Sequence, residues 1–475
     1  SARACGRHAA LLEQQRPDLF RQSVASIRPG EHVRVVLRFA ETVPYRDGEY
    51  EFVFPLATGA RTAETVARGA SSGDVAIHVA LDTGFAIDTV ASPSHAVTVA
   101  RGDDTHATAD LTSGSTVPDR DFLLRYRPRV RTAEPSVLAW HDAGAADGVF
   151  TFMLHPGAHA GDGEITPREV DFVVDTSSSM HGPALEHAQT LLRRSVDRLR
   201  AGDTFRVVRF SDTTSALDAS PLPADEPSRA RAHRYIDTLV AAGATDSTPG
   251  LRAVLDAPSD PTRLRIVVLV TDGYLGDDRA LLRAVDTSLG RTRLFAFGIG
   301  PAVNRYLLEQ LAEIGRGEAR IVTPSEDPVA AADRFAALLD RPFLTDVGIA
   351  WGGLAVRDVY PRYVPDLYAD RPVLVHGRYD RAGEADVRVT GFIHGHPWQR
   401  SVHVVLPAAA RDHEALASVW ARARVHDLSR EMVLGETPAL REDIAHVGLQ
   451  YHLVTAFTSF VAVDPPTATL TVPPL

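Results

Sequence analysis

The sequence predicts a multidomain protein of α/β plus all-β class, in which a doubly wound parallel sheet is flanked by β-sandwich regions. Before residue 166 the apolar residues recur mostly with the period of a strand, and after residue 341 they do so again. Between these regions, four apolar runs alternate with helical stretches, which is the pattern of parallel strands joined by crossover helices. With 475 residues, the chain also exceeds what one hydrophobic core usually supports.

The first β region is predicted over residues 1–61 and continues as a sandwich over residues 62–165. Two hairpin signals, Pro29-Gly30 and Asp47-Gly48, separate runs rich in Val, Phe and Tyr. Further short runs follow, punctuated by Gly, Asp and Pro, and they read "VAIHVAL", "AVTVA" and "GVFTFML". Short strands separated by turn residues favour an all-β sandwich.

The α/β domain is predicted over residues 166–341. Its strands are the largely apolar runs "VDFVV", "FRVVRF", "LRIVVLV" and "RLFAFGI", which are typical of a parallel sheet covered on both faces. A helix is predicted over 183–200, because Leu185, Ala188 and Leu192 recur at three- and four-residue spacing. The simplest arrangement places this domain inside, or beside, the β layers.

The β pattern returns over residues 342–410. Residues 411–475 are predicted to form a helical segment, at 412–430, followed by a terminal strand in "YHLVTAFTSFVAVD". Trp420 and the Ala-rich helix around it are predicted to belong to the core.

The composition excludes several functional classes. The chain has 50 basic and 61 acidic residues, a net charge of -11, and no run of basic residues with interleaved aromatics, which excludes nucleic acid as a partner. All 50 basic residues are Arg, so lysine chemistry such as a P-loop or a Schiff base is excluded too. The single cysteine, Cys5, permits no intrachain disulfide. No apolar run approaches the roughly 18 residues that span a bilayer, so no transmembrane segment is predicted in this chain.

Oxygen-bearing side chains lie in three loops of the α/β domain, after the first strand, in the turn "AAGATDSTPGL" and after "LRIVVLV". In a doubly wound sheet the carboxyl ends of neighbouring strands face one crevice, so these loops can meet there. Carboxylate and hydroxyl oxygens without His or Cys suit Mg²⁺, with Mn²⁺ or Ca²⁺ as substitutes, rather than zinc. The candidate metal ligands are Asp175, Ser177, Ser179, Thr245 and Asp272. The alternative is that these side chains only cap the helices that begin near Pro183 and Pro249.

These residues resemble the metal-ion-dependent adhesion site of von Willebrand factor type A domains, whose pattern is Asp-x-Ser-x-Ser, then a distant Thr, then a distant Asp. The resemblance implies that Asp175, Ser177 and Ser179 form the first element, Thr245 the second and Asp272 the third. In that family the hydroxyls can bind the ion directly, while one or both aspartates act through water.

Two neighbouring positions qualify this resemblance. The glycine that usually separates the two serines is Ser178 here, which costs backbone freedom but removes no ligand. Asp246 follows the threonine, as an acidic residue does in many relatives, and is expected only to support the ligands.

The resemblance extends over nearly the whole chain. The segment from "LLEQQRPDLF" to "EYEFVFPL" is similar to the second half of a VIT domain, the module that precedes the type A domain in inter-alpha-trypsin inhibitor heavy chains and their bacterial relatives. "SPSHAV", "DRDFLLRY", "VPDLYADRPVLVHGRY" and "YHLVTAFTSFVAVD" match as well. The first half of the VIT domain is missing, so the chain is predicted to be a fragment or a processed form. By resemblance alone, an extracytoplasmic location, in the cell envelope or secreted, is expected.

The predicted function is divalent-cation-dependent protein binding, in adhesion or complex formation, with an Asp or Glu of a protein partner completing a Mg²⁺ site. The alternative is a structural scaffold that binds through its β domains, where the metal only stabilises. The Asp-Pro-His-Phe sequence through which animal heavy chains are esterified to chondroitin sulfate is missing, so that transfer is not expected. No enzyme is predicted, because the chain lacks a Gly-x-Ser-x-Gly elbow, an Asp-x-Asp pair in "DTSSSMHG" and a Gly-rich phosphate loop.

Two short motifs are interpreted as ordinary turns. Arg101-Gly102-Asp103 spells an integrin-recognition tripeptide, but a turn is expected in a chain so rich in these residues. His394 and His396 would share one face of a strand and could hold a metal, yet Gly395 between them favours an exposed turn.

Overall fold

The structure is a computed structural model, and it describes most of the chain. The described residues are 9–16, 19–25, 36, 39–46, 48–56, 75–112, 121–130, 133–142, 144–156, 166–258, 260, 262–273, 275, 278–300, 303–323, 326–340, 342–368 and 371–458. The chain divides into two compact units, one formed by Thr42–Leu416 and the other by Ser1–Glu41 with Ala417–Leu475. Each unit is described by itself below.

The larger unit begins with nine short strands, numbered after the hairpin β1 (Ala9–Arg16) and β2 (Leu19–Ala25) of the smaller unit. They are β3 (Tyr45–Arg46), β4 (Glu49–Phe54), β5 (His78–Asp82), β6 (Ile87–Ala91), β7 (Val97–Arg101), β8 (His106–Leu111), β9 (Phe122–Pro128), β10 (Glu134–Trp140) and β11 (Gly148–His155). Two antiparallel sheets result within this stretch, with strand orders β3-β4-β9-β6 and β5-β8-β7.

The α/β domain follows as seven strands and six helices. The strands are β12 (Arg168–Asp175), β13 (Thr204–Phe210), β14 (Thr214–Ala216), β15 (Leu222–Pro223), β16 (Leu264–Thr271), β17 (Arg293–Ile299) and β18 (Arg316–Val322). The helices are α1 (Pro183–Asp197), α2 (Glu226–Asp237), α3 (Ser247–Leu255), α4 (Asp278–Ser288), α5 (Arg305–Ile314) and α6 (Pro328–Leu339).

The sheet of this domain has the order β14-β13-β12-β16-β17-β18, and its five long strands pair in parallel. This confirms the predicted doubly wound fold. Every residue of the central strand β12 is buried, because Val170, Phe172 and Val174 pack into the core with α1, α2 and α6, while α3 contacts the strand as well. The antiparallel strands β14 and β15 at the β13 edge were not predicted.

Side chains at helix starts explain where several helices begin. The side chains of Asp225 and Asp327 accept hydrogen bonds from the backbone N–H three residues on, and a proline stands in the first turn of both helices. Asn304 caps α5 in the same way.

The last part of the larger unit returns to antiparallel strands. They are β19 (Pro342–Ala350), β20 (Val356–Tyr360), β21 (Leu367–Tyr368), β22 (Val373–Tyr379), β23 (Gly383–Ile393) and β24 (His396–Leu406). Strand β22 pairs with β11, so one sheet, β10-β11-β22-β20, joins strands from before and after the α/β domain. The α/β domain is therefore inserted between strands of one sheet, as the flanking β patterns suggested, while the exact boundaries of the five domains remain predictions.

The smaller unit contains two helices, α7 (Ala415–Leu434) and α8 (Pro438–Gln450). The first overlaps the predicted helical segment, and Trp420 on it is buried, with its ring 5.5 Å from that of Tyr451. Helix α8 was not predicted. The predicted terminal strand is wrong over residues 451–458, which form turns with one bridge between Thr455 and Thr458, because hydrogen bonds within this short turn satisfy the backbone. Its remaining residues lie outside the described part of the chain.

None of the helices in the described residues is long and apolar enough to cross a membrane.

Candidate metal site

The candidate site is built around a buried carboxylate at the C-terminal end of β12. Asp175 is fully buried, and it accepts hydrogen bonds from the backbone N–H of Ser177 and from the hydroxyl of Thr271, both at 2.8 Å. No Arg or His of the described residues lies at ion-pair distance from it. Burial raises the pKa of Asp175, hydrogen bonds from Ser177 and Thr271 oppose this, and the negative charge of Asp272 raises the pKa further.

The two serines of the first loop have their hydroxyls together. Ser177 is buried, Ser179 is exposed, and their Oγ atoms are 3.0 Å apart. A single 3₁₀ turn, Ser178–Met180, brings them to this spacing. Helix α1 has Gly182 as its N-cap, without a side-chain capping bond, so the simple capping alternative does not describe these serines.

Ser178, the residue that departs from the family pattern, joins the first loop to the second. Its backbone N–H and its hydroxyl both donate to the carbonyl of Gly243, at 3.0 and 2.8 Å. Ser178 is not among the described residues with positive φ, so this position does not require glycine.

The second loop is anchored on both sides of Thr245, to the first loop on one side and to the segment after β13 on the other. The N–H of Ala242 donates to the carbonyl of Thr176 at 2.8 Å, and the N–H of Asp246 donates to the carbonyl of Ser211 at 2.9 Å. Thr245 itself is half-buried between these two anchor points. Asp246 is exposed at the start of α3, and its side chain makes no capping hydrogen bond there.

Gly243 in this loop adopts a φ of +83°. A Cβ at this position would lie 2.7 Å from a carboxylate oxygen of Asp212, so glycine is required both by the backbone conformation and by the close approach of this neighbour.

The third loop is attached to the site by a residue that the sequence reasoning missed. Thr271 donates its hydroxyl hydrogen to Asp175 and accepts a hydrogen bond of 3.0 Å from the N–H of Gly273. Asp272 is half-buried and lies between Thr271 and Gly273 in the chain, so these hydrogen bonds fix its position. The signal was available in "VTDG", where a hydroxyl residue ends the strand directly before the predicted ligand.

Gly273 and Asn304 bring a fourth loop against the third. Gly273 has a φ of +111°, and a Cβ there would lie 2.6 Å from the backbone nitrogen of Asn304. The Asn304 side chain donates to Asp278, at the start of α4, at 2.9 Å, and its oxygen accepts from the N–H of Leu307. Asn304 therefore links the segment that follows Asp272 to the start of α5.

The donor set fits a hard divalent cation. A buried carboxylate without a cationic partner, close to a second carboxylate, is unfavourable unless a positive charge compensates for it. Serine and aspartate oxygens surround it, which suits Mg²⁺ better than a soft metal. Within the described residues, no group of three or more His, Cys, Asp and Glu side chains is arranged to hold a metal ion.

The fold and the site define a class of protein. A doubly wound sheet that presents an Asp-x-Ser-x-Ser loop beside a threonine loop and an aspartate loop is the arrangement of a von Willebrand factor type A domain. Residues 168–321 match the family model described as "von Willebrand factor type A domain". Type A domains commonly mediate protein–protein interactions, often carry a divalent cation and are typically not enzymes.

The chain is similar to named proteins over longer stretches. It is 23% identical over 328 residues to inter-alpha-trypsin inhibitor heavy chain H2 of Mus musculus, covering 62% of this chain and 34% of that one. It is 23% identical over 510 residues to von Willebrand factor A domain-containing protein 5A of Homo sapiens, covering 97% of this chain and 64% of that one. The chain thus spans about a third of the length of the heavy chain that it matches.

Among solved structures, the chain is similar to a von Willebrand factor type A protein from Catenulispora acidiphila. The TM-score is 0.49 and the identity 17%, covering 68% of this chain and 88% of that one.

The two short motifs form turns. Arg101 donates to the backbone carbonyls of Ile87 and Asp88, and the Asp103 carboxylate accepts from the backbone N–H groups of Thr105 and His106, so both charged groups of the tripeptide already have partners within the domain. His394 lies with Gly395 in the exposed turn that joins β23 to β24, and the rings of His394 and His396 are 6.3 Å apart.

Proposed function

We propose that this chain binds a protein partner through a divalent cation held by its type A domain. The observation that carries the proposal is the buried carboxylate of Asp175, which has no cationic partner among the described residues and is close enough to Asp272 for that charge to raise its pKa. A cation nearby would stabilise such an arrangement.

Mg²⁺ is the ion that we assign to the site, with Mn²⁺ and Ca²⁺ as substitutes. Its ligands would be drawn from five residues on three loops: Asp175, Ser177, Ser179, Thr245 and Asp272. When bound, the ion supplies a positive charge with exchangeable coordination positions. Thr271 and the backbone of Ser177 orient the Asp175 carboxylate, and Ser178 holds the first and second loops together.

The partner is expected to present an Asp or Glu side chain to the ion. Because the site contributes hydroxyls as well as carboxylates, the ion keeps part of its positive charge and can accept a further carboxylate oxygen. A partner that supplies this group would bind only when the metal is present, and binding would be reversed by EDTA.

A scaffold that binds through its β sheets is the second candidate. It is favoured by the sheet β10-β11-β22-β20, which joins β strands from both sides of the type A domain into one body. Under that reading the metal contributes only stability. If the partner binds through the metal, Asp272→Ala should abolish partner binding without unfolding the chain. If the partner binds through the β sheets, the same substitution should mainly lower the melting temperature.

The location that we propose is extracytoplasmic, in the cell envelope or secreted, and it rests on the similarity to inter-alpha-trypsin inhibitor heavy chains. The first 61 residues are proposed to be the second half of a VIT domain; nearly half of them lie outside the described residues.

Calorimetric titration of the metal-free chain with Mg²⁺ and Mn²⁺ tests the site directly. The intact chain should bind one ion, and Asp175→Ala should weaken binding by at least about a hundredfold, since it removes a charged ligand. Asp256→Asn is the matched control, because this exposed aspartate lies at the far end of α3. Equal affinity in Asp175→Ala and in the control would overturn the assignment.

A further inference from the structure

A cluster of imidazoles and carboxylates lies far along the chain from the proposed metal ligands, in the β part of the larger unit. Asp82, the last residue of β5, stands opposite His106, the first residue of β8, in the antiparallel register. His413 approaches them from the segment that precedes α7. Nothing in the proposed function uses this cluster.

One oxygen of Asp82 contacts both imidazoles. Its Oδ2 lies 2.7 Å from Nε2 of His413 and 3.4 Å from Nε2 of His106. The Asp82 side chain is 33% exposed and that of His413 is 23% exposed, so the contact with His413 is partly shielded from solvent.

The other nitrogen of each ring also faces an acceptor. Nδ1 of His413 lies 3.2 Å from the carbonyl oxygen of Ala139 on β10, and Nδ1 of His106 lies 2.9 Å from a carboxylate oxygen of Asp103. A neutral imidazole has one donor and one acceptor nitrogen, whereas both nitrogens of an imidazolium donate. Both nitrogens of His106 therefore face carboxylates, and both can donate to them only when the ring carries a proton on each nitrogen.

We propose that Asp82, His106 and His413 form a proton-operated latch that closes when His106 is protonated and fastens the sheet β5-β8-β7 to β10 and to the segment leading into α7. The same segment also pairs with the residue after β10, through the backbone bridge between His141 and Ala410.

The surrounding charges give the sign of the pH response. The hydrogen bond to Asp103 and the charge of Asp82 raise the pKa of His106 above its ordinary value, and Thr105 also contacts its ring. On the same turn, Asp104 is paired with Arg129 at 2.9 Å. A histidine with a raised pKa stabilises the folded contact at low pH and loses this contribution as pH rises through the raised pKa. The latch therefore opens as pH rises through the raised pKa of His106.

Hydrogen exchange of the full chain, followed by mass spectrometry at about pH 5.5 and about pH 8.5 and corrected for intrinsic exchange, tests the latch. In the wild type, protection of residues 78–82, 106–111 and 408–416 should fall about five- to tenfold at the higher pH. At both pH values, Asp82→Asn and His413→Gln should show the low protection that the wild type shows only at the higher pH. His78→Gln is the matched control, because His78 pairs with Asp110 at the other end of the same sheet, and it should keep the wild-type response.

Three results would overturn the latch. Protection that does not change with pH in the wild type would do so, and so would a pH response that persists in both Asp82→Asn and His413→Gln. The third is protection by added Zn²⁺ at the higher pH that Asp82→Asn removes, since the cluster would then be a metal site. Unfolding curves of the two variants at the lower pH establish that any loss of protection is local.

Discussion

The buried negative charge of Asp175 lowers the stability of the metal-free protein, and a bound metal ion would remove this destabilisation. Replacing it with Asn preserves the size of the side chain but removes a buried charge that has no cationic partner among the described residues. In EDTA, Asp175→Asn should therefore melt a few degrees above the wild type, which corresponds to about 1 kcal/mol for a domain of this size. With Mg²⁺ in excess the order should reverse, because only the wild type gains stability from binding.

Thermal unfolding in EDTA and in Mg²⁺ provides the measurement, and Asp256→Asn again serves as the control. A variant less stable than the wild type in EDTA would mean that the Asp175 carboxylate is compensated within the metal-free protein.

At the level of single residues, the sequence pointed to the proposed ligands but not to the residues that support them. Asp175, Ser177 and Ser179 follow one another in a recognisable spacing, whereas Thr271 acts through a contact with a residue 96 positions away. The role of Ser178 was similarly hidden, because the carbonyl that it contacts belongs to the second loop. Contacts between loops depend on the fold, and no local pattern records them.

At the level of elements, the loop that carries Asp272 depends on the start of α5. Asn304 caps α5 and donates to Asp278 at the start of α4, so it connects the two helices that follow β16 and β17. Asn304→Ala should weaken Mg²⁺ affinity about tenfold, the usual effect of removing a group that positions a metal ligand. Calorimetric titration measures this loss.

The substitution Asn304→Asp separates the two roles of this side chain. Aspartate is as good an N-cap as asparagine, but it cannot donate to Asp278 and repels it instead. Equal losses of affinity in Asn304→Asp and Asn304→Ala would assign the effect to the link with Asp278. A loss in Asn304→Ala alone would assign it to the cap, and no loss in either would contradict the prediction.

The long elements were predictable because their periodicity is strong, and the short ones were not. Strands β12, β13, β16 and β17 coincide with continuous apolar runs. Strand β14 has three residues and β15 has two, and both pair with the edge of β13. The terminal strand was predicted from β-forming residues in "YHLVTAFTSF", but residues 451–458 form turns closed by local hydrogen bonds.

At the level of the whole molecule, one buried arginine joins the type A domain to the β region that follows it, and a second forms ion pairs within the type A domain. Arg293, with 0% of its side chain exposed, pairs with Asp366 at 2.6 Å and with Asp346 at 2.8 Å. Arg168, at the start of β12, pairs with Asp203 at 2.6 Å and Asp340 at 3.0 Å. The sequence could not predict these pairs, because an arginine next to an apolar run usually indicates the exposed end of a strand.

A buried histidine, His155, and a half-buried one, His376, contribute to how the stability of the larger unit depends on pH. His155 packs its ring 4.3 Å from that of Phe85, and His376 lies 2.9 Å from the hydroxyl of Thr151. Burial lowers the pKa of each to about 4. Because the unfolded chain binds these protons near pH 6.5 and the folded chain does not, the free energy of unfolding should fall as pH falls from about 6.5 to about 4, by up to roughly 3 kcal/mol per histidine.

This response has the opposite sign to that of the latch, in which protonated His106 stabilises the folded chain at low pH. Urea unfolding at about pH 7 and about pH 4.5 should show a smaller loss of stability in His155→Gln and His376→Gln than in the wild type, since neither replacement takes up a proton. His78→Gln, an exposed control, should follow the wild type. If both buried-site variants lose as much stability on acidification as the wild type, carboxylate protonation rather than the buried imidazoles controls the acid response of this unit.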